Sequence, residues 1–491
     1  MDVLPESQRD LVPFLLAGRW TTGTADGEVA RTIENPSDLD APVARVAEAT
    51  LDDVANAARS ARDAQPGWAE VAPAERASLL ARVADLLRER AAAIGELLAR
   101  EEGKLRAEGE GEARRAADLF DYYAQRCYDP IGDRLAGARG GVEIAVERRP
   151  LGVVALITPW NFPIAIPAWK LAPALAYGNV AILKPAEQAP LSALALARAV
   201  EDAGVPAGVV QVLTGGGNVG RALVDHPGVD GVSFTGSDAV GRSVAAATAA
   251  RLVPCQLELG GKNPLVVLDD ADLDVAVTCA VQGAFGSTGQ RCTASSRIVV
   301  TPGIHDRFVA ELVRRTSELR PGPALDPQSD FGPVIDADQL AADLAAIEAA
   351  EAAGAEVAVR GRLEERASRG RFLGPTLFVD TTNDLPLNRE EAFGPIACVL
   401  RARDVDDAIA IANDTPYGLV ASVVTTSLAH ATRFRAEAEV GMVMVNLSTA
   451  GQDLHAPFGG AKGSSFGAKE QGTYTREFYT KVRTSYVRSG A

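Results

Sequence analysis

The sequence predicts an α/β protein built on parallel sheets, and three observations carry that expectation. Short β-rich runs at 153–158, 179–184, 209–215 and 231–236 alternate with stretches of helical composition, as βαβ units do when helices cover both faces of a sheet. The alternation resumes at 264–270 and 297–301 and continues to about residue 445. The length of 491 residues suits about three folding units, and 47% apolar with 23% charged residues excludes wholesale disorder.

Each segment has its own signal. The opening MDVLPESQRDLVPFLLAGRW sets acids before a short apolar patch, the wrong order for a secretory signal. Residues 50–126 are rich in Ala, Leu, Glu and Arg at helical spacing and predict several amphipathic helices. Residues 129–149 place Gly-rich turn chemistry between short alternating runs and predict a β-hairpin. Between 150 and 183 the only charge is Lys170, so the segment is strongly apolar. Five prolines and Asn161 interrupt it, which a membrane-spanning helix does not tolerate, so a buried strand, an irregular loop and a buried helix are expected. The tail 474–487 predicts an edge strand, and no internal repeat or low-complexity tract is present.

Charge and composition narrow the function. Lys plus Arg number 49 and Asp plus Glu 65, so the net charge is 49 − 65 = −16. Such a surface repels nucleic-acid backbones and anionic lipid. The four histidines (His226, His305, His430, His455) form no i, i+3 or i, i+4 pair, and no Cys-x-x-Cys occurs, so no metal is expected. Five scattered cysteines argue against a disulfide framework and for a reducing, cytoplasmic setting.

Two glycine-rich turns follow predicted strands: Gly215, Gly217 and Gly220, then Gly236, Ser237 and Gly241. Each would free backbone N–H groups at a helix start to face a pyrophosphate, although an ordinary strand-to-helix turn reads the same way. Cys292, in TGQRCTASSR, sits in a polar turn beside the Arg291 guanidinium, surroundings that lower a thiol pKa. Nucleophile and structural cysteine both remain open on those residues alone. Glu258, in QLELGGKNP, is an acid at an apolar-to-Gly transition, where partial desolvation would make it a base near neutral pH.

Taken together, PWNFP (159–163) with AWK (168–170), KPAEQAP (184–190), FTGSDAVG (234–241), LELGGKNP (257–264), GQRCT (289–293), REEAFGP (389–395) and PFGG (457–460) resemble the aldehyde dehydrogenase superfamily. They occur in that family's order and spacing, including 292 − 258 = 34 residues from glutamate to cysteine. The resemblance implies a Rossmann-like cofactor domain (1–128 and 150–257), an α/β catalytic domain (258–465) and a small β-hairpin oligomerisation element (129–149 and 474–491).

It also implies roles. Cys292 would add to an aldehyde carbonyl, Asn161 and the Cys292 N–H would hold the oxyanion, and Glu258 would activate the water that releases a carboxylic acid. Lys170 with Glu470 would relay its proton. The resemblance places the cofactor against Ile157, Thr158, Pro159, Trp160, Lys184, Glu187, Gly217, Phe234, Gly236, Ser237, Gly241, Leu259, Glu391 and Phe393. NAD is favoured because Glu187 would repel a 2′-phosphate, with NADP as the alternative that Lys184 could accommodate.

The sequence from Val445 onward resembles the branch that oxidises α-ketoglutaric semialdehyde (2,5-dioxopentanoate), though Ser448 and Ala461 replace an expected proline and basic residue. Phe162, Ile166, Trp169, Thr293 and Phe458 are expected to line the substrate pocket, with Arg291 as a carboxylate clamp or a loop tie. The expected partners are a small aldehyde and further copies of the chain, as a homodimer or homotetramer. The alternatives are an aldehyde dehydrogenase for succinic semialdehyde or for aliphatic or aromatic aldehydes, and a cofactor-independent thiol esterase. A non-catalytic relative would be expected to lack the cysteine or the glutamate.

Overall fold

The computed structural model describes residues 3–7, 10–23, 30–363 and 369–488, so the last three residues of the expected tail element lie outside it. Among the described residues the chain builds two large sheets, one of three strands and two of two strands. The first has eight strands, and its five parallel members are Val210–Val212, Val180–Lys184, Val153–Ile157, Gly231–Thr235 and Cys255–Glu258, in that spatial order. Numbered along the chain this is 3-2-1-4-5, the doubly wound order, which reverses direction between Val153–Ile157 and Gly231–Thr235. Strand Phe14–Leu16, followed by Arg19–Thr21, closes one edge antiparallel, and Ser465–Phe466 closes the other.

The apolar segment 150–183 folds as anticipated, into a fully buried strand, a loop, the buried helix Ala165–Ala176 and the next strand. Residues 50–126 form four helices, Leu51–Glu70, Pro73–Glu89, Ala91–Glu101 and Arg106–Arg126, the first closed by a Thr50–Asp53 capping box.

The second sheet has seven strands in the order Glu356–Val359, Thr376–Thr381, Ile396–Arg401, Arg297–Val300, Pro264–Val267, Val420–Val424 and Met442–Val445. All neighbours run parallel except the first pair. Alternation of side chains splits one strand between two cores: Val266 packs with Phe378 and Val423 on one face, Leu265 and Val267 with Ile298 and Phe308 on the other.

The hairpin Gly132–Ala136 and Val142–Pro150 forms and is joined by Thr480–Arg488, which pairs residue by residue from Thr480↔Pro150 to Arg488↔Val142. Two boundaries differ from expectation. The tail strand begins at Thr480, not 474, because Arg476–Tyr479 makes a helical turn that buries Phe478 and Tyr479 in the first core. Strand Cys255–Glu258 precedes the glycine turn, so Glu258 closes one strand as well as preceding another. Among the described residues no helix is long and apolar enough to cross a membrane.

Candidate active site

In open α/β sheets ligands bind beyond the carboxyl ends of the strands, where the order reverses. Here those ends lead into Thr158 and Trp160 on one strand and Thr235, Gly236 and Ser237 on the other. The hydroxyls of Thr158 and Thr235 are buried without a hydrogen-bond partner, a cost unless something polar completes them. Helices Asp238–Arg251 and Gly217–Asp225 start in these turns with no side-chain cap bond, leaving N–H groups free for an anion.

The surrounding residues converge on that crevice. A Cβ on Gly220 would lie 3.8 Å from Lys184 Cδ and 4.0 Å from Ile157 Cδ1, while Gly217 has open space around it. Lys184 is buried at its strand end, where desolvation lowers its pKa against the pull of Glu187. A Cβ on Gly236 would strike the Phe234 ring at 2.6 Å, and one on Gly241 would strike Leu259 at 2.3 Å, so both turns depend on bare backbone. Glu391 accepts a bond from the Gly261 N–H at 2.9 Å, and burial pushes its pKa up to about 7. Phe393, held at φ 66°, meets the Trp160 ring edge-on at 5.4 Å, beside half-buried Pro159. The orphaned hydroxyls, uncapped helix starts and ribose-sized acids at Glu187 and Glu391 fit a dinucleotide.

Cys292 is partly buried, packed in a small cluster with Leu419, Val420, Phe458, Met442 and Met444 beside the second sheet. Its carbonyl accepts a bond from Asn263 Nδ2 at 2.8 Å, and the Gly286–Gly289 turn ahead of it holds Ser287 and Thr288 in left-handed backbone, φ 49° and 61°. Glu108 and the Gly332 carbonyl tie those two hydroxyls down, at 2.7 and 3.0 Å. Asn161 points its amide at the same turn, with Nδ2 3.0 Å from the Gln290 carbonyl. Its own carbonyl accepts from Lys104 Nζ at 2.7 Å. Lys104 is buried against Glu112, whose other oxygen accepts from the Ile164 and Ala165 N–H groups.

Glu258 is 2% exposed. Oε2 accepts a 2.5 Å bond from the Ser465 hydroxyl, and Oε1 has no partner. Burial raises its pKa well above the usual carboxylate range, and the charge of Glu470 adds to the rise. Lys170 contacts Glu470 directly and donates to Ser233 at 2.8 Å, which lies 3.2 Å from the same carboxylate. Two carboxylates and one ammonium are therefore buried together.

The thiol does not behave as its sequence neighbours suggest. Burial, helped by the charges of Glu391 and Glu258, pushes Cys292 up to about 12. Arg291 does not oppose this because its guanidinium turns away, to Glu108 at 3.2 Å and Ser287 at 2.7 Å. It borders the substrate cavity as a neutralised loop tie.

That cavity, about 530 Å³, is bordered by Cys292, Thr293, Phe162, Trp169 and Phe458, with the last two rings 5.4 Å apart. Ile166 is buried in the first core and is not among the residues bordering the cavity, unlike Ala165 and Trp169 of the same helix. Sequence reading missed Lys104, Glu112, Arg115, Ser465 and Gln471. The first three lie in a helical stretch whose charges look like a solvated face; the run EEGK ahead of a helix was their only signal.

Comparison with known proteins identifies the family. Residues 20–485 match the model of the aldehyde dehydrogenase family. The α-ketoglutarate semialdehyde dehydrogenase of Haloferax volcanii is 42% identical over 475 residues, covering 96% of this chain and 97% of that protein. The α-ketoglutaric semialdehyde dehydrogenase of Bacillus subtilis is 38% identical over 474 residues, again 96% of this chain and 97% of that protein. The crystal structure of betaine aldehyde dehydrogenase from Staphylococcus aureus in complex with NAD+ superimposes with a TM-score of 0.94 at 30% identity, covering 98% of this chain and 95% of that one.

Proposed function

This chain belongs to the aldehyde dehydrogenase family and is an aldehyde dehydrogenase, and we propose that it oxidises α-ketoglutaric semialdehyde to 2-oxoglutarate with NAD. Support for the substrate comes from the two relatives of that name, each matched over nearly its whole length. In this reading the Cys292 thiol hands its proton to Glu258, which passes it on toward Glu470, and the sulfur adds to the aldehyde carbonyl, forming a carbon–sulfur bond and an oxyanion. The Asn161 amide and the Cys292 N–H hold that charge, each worth about 3–4 kcal/mol of barrier. The chemistry a bound nicotinamide supplies there is hydride acceptance, which leaves the acyl group on sulfur as a thioester. Glu258 takes a proton from water, the resulting hydroxide attacks the thioester, and the acid departs as the thiolate is released. Lys170, Ser233 and Glu470 then carry Glu258's proton away from the thiol.

The observation that carries the reading is the convergence on Cys292 of an amide, Asn161, bound to the Gln290 carbonyl in the turn just before it, and a buried carboxylate, Glu258, held above its usual pKa, whose charge acts on the thiol. Glu391 and Phe393 would orient the nicotinamide side of the cofactor, and Lys184 and Glu187 its adenosine ribose. NADP is the second reading, favoured by Arg31, whose guanidinium lies 3.6 Å from Glu187 and would sit beside a 2′-phosphate.

The cofactor domain would comprise 1–128 and 150–257, the catalytic domain 258–465, and 129–149 with 474–491 the contact between copies in a dimer or tetramer. A cytoplasmic setting follows from the scattered free cysteines. The test is a single turnover with α-ketoglutaric semialdehyde and NAD. Glu258→Gln should give one stoichiometric burst of NADH and an acyl mass on Cys292, and Cys292→Ala neither. Steady turnover by Glu258→Gln would show that another group activates water, and an unmodified Cys292 would remove it as the nucleophile.

A further inference from the structure

The cavity beside the thiol is lined by two kinds of side chain: the aromatic Phe162, Trp169 and Phe458, and the polar pair Arg115 and Gln471. Two guanidiniums and one carboxylate border it, and Arg291 is paired with Glu108, so Arg115 is the one of the two without a carboxylate in direct contact among the described residues. Arg115 is half-buried on helix Arg106–Arg126 and among the described residues makes one hydrogen bond, from Nη2 to Gln471 Oε1 at 3.2 Å. Asp453, Asp118 and Glu112 act on it only through space, and Glu112 is already bound to Lys104.

Gln471 supplies a second, independent sign. Its side chain is fully buried and its Nε2 has no acceptor. The bond from Arg115 fixes Oε1 as the acceptor, so Nε2 remains a donor with nothing to bind. A buried donor without a partner on a cavity wall calls for an acceptor from the ligand.

We infer that Arg115 and Gln471 form the subsite for a carboxylate at the far end of the substrate, in place of Arg291. The inference rests on the semialdehyde reading above. One substrate oxygen would take the free N–H groups of Arg115 and the other the Gln471 amide, which points the aldehyde toward Cys292.

The test compares KM and kcat for 2,5-dioxopentanoate, succinic semialdehyde and pentanal in the wild type, Arg115→Met and Arg115→Lys. Arg115→Met should raise KM for both oxo-acids about ten- to hundred-fold at little changed kcat, shift pentanal by no more than about twofold, and be partly rescued by Arg115→Lys. Equal shifts for oxo-acids and pentanal, or a loss confined to kcat, would overturn the assignment. If the wild type has no preference for oxo-acids, the substrate reading fails instead. The subsite is then read from competitive inhibition of pentanal oxidation by glutarate: inhibition weakened by Arg115→Met upholds it, and absent or unweakened inhibition overturns it.

Discussion

Cys292 shows how far a short sequence window reaches. Small and hydroxyl neighbours set it apart from the other four cysteines and left nucleophile and structural residue both open, while its ionisation is decided elsewhere. Arg291 is drawn off by Glu108, 183 residues earlier in the chain, and the carboxylates of Glu391 and Glu258 face the thiol instead. No local pattern encodes that choice. Burial and negative neighbours favour the neutral thiol, so the thiolate fraction of the free enzyme should fall tenfold for each pH unit below about 12. Inactivation by iodoacetamide without cofactor should therefore accelerate steadily between pH 7 and pH 9, with no plateau near the ordinary cysteine value. A plateau in that range would show that the thiol is not shielded.

At the scale of elements, the strands were the most legible part of the chain. Runs of Val, Ile and Leu at 153–157, 180–184 and 264–267 become fully buried parallel strands because a sheet covered on both faces needs apolar residues at successive positions. The loop that carries Asn161 was legible as a break but not as a built object. Its shape is set by Lys104 and Glu112 from a helix that reads as ordinary amphipathic sequence. Lys104→Met would leave Glu112 buried without its ammonium, which costs about 3–5 kcal/mol, and would free the Asn161 carbonyl. Thermal denaturation should register the first loss. A drop in kcat larger than any change in KM should register the second, because the oxyanion donor is displaced while the cavity stays intact. If Lys104→Met with Glu112→Leu regains stability but not kcat, the pair acts through Asn161; recovery of both would reduce it to a packing role.

Over the whole molecule, the doubly wound order and the two sheets follow from alternating strands and helices. The edge strands do not: Ser465–Phe466 returns to the first sheet from the far end of the chain, beyond any periodic signal. The three-stranded sheet leaves an outer edge on Gly132–Ala136 and another on Thr480–Arg488, with Leu135, Val482, Tyr486 and Val487 exposed. Unpaired edges of this kind invite another chain, and a protein ending after Tyr479 should be smaller by light scattering than the full chain; an unchanged mass would place subunit contact elsewhere.

Burial also couples stability to pH. It raises Glu101 to about 7 and Glu102 to about 8, so the folded chain keeps protons there that the unfolded chain has lost. Their contribution is complete below about pH 4 and declines as pH rises through those values. Glu102→Gln should thus raise Tm more at pH 8.5 than at pH 5.5, and an equal gain at both would show that Glu102 is ionised throughout.

The partners of the acid-handling cluster are remote in sequence: Lys170 meets Glu470 across 300 residues, and Glu258 meets Ser465 across 207. During synthesis a ribosome can expose both sheets while the centre between them still lacks its floor. A nascent polypeptide halted short of residue 470 would hold the nucleophile and the base while the buried Lys170 ammonium still lacked its carboxylate. Chemical competence thus arrives late in translation, after the fold is largely complete.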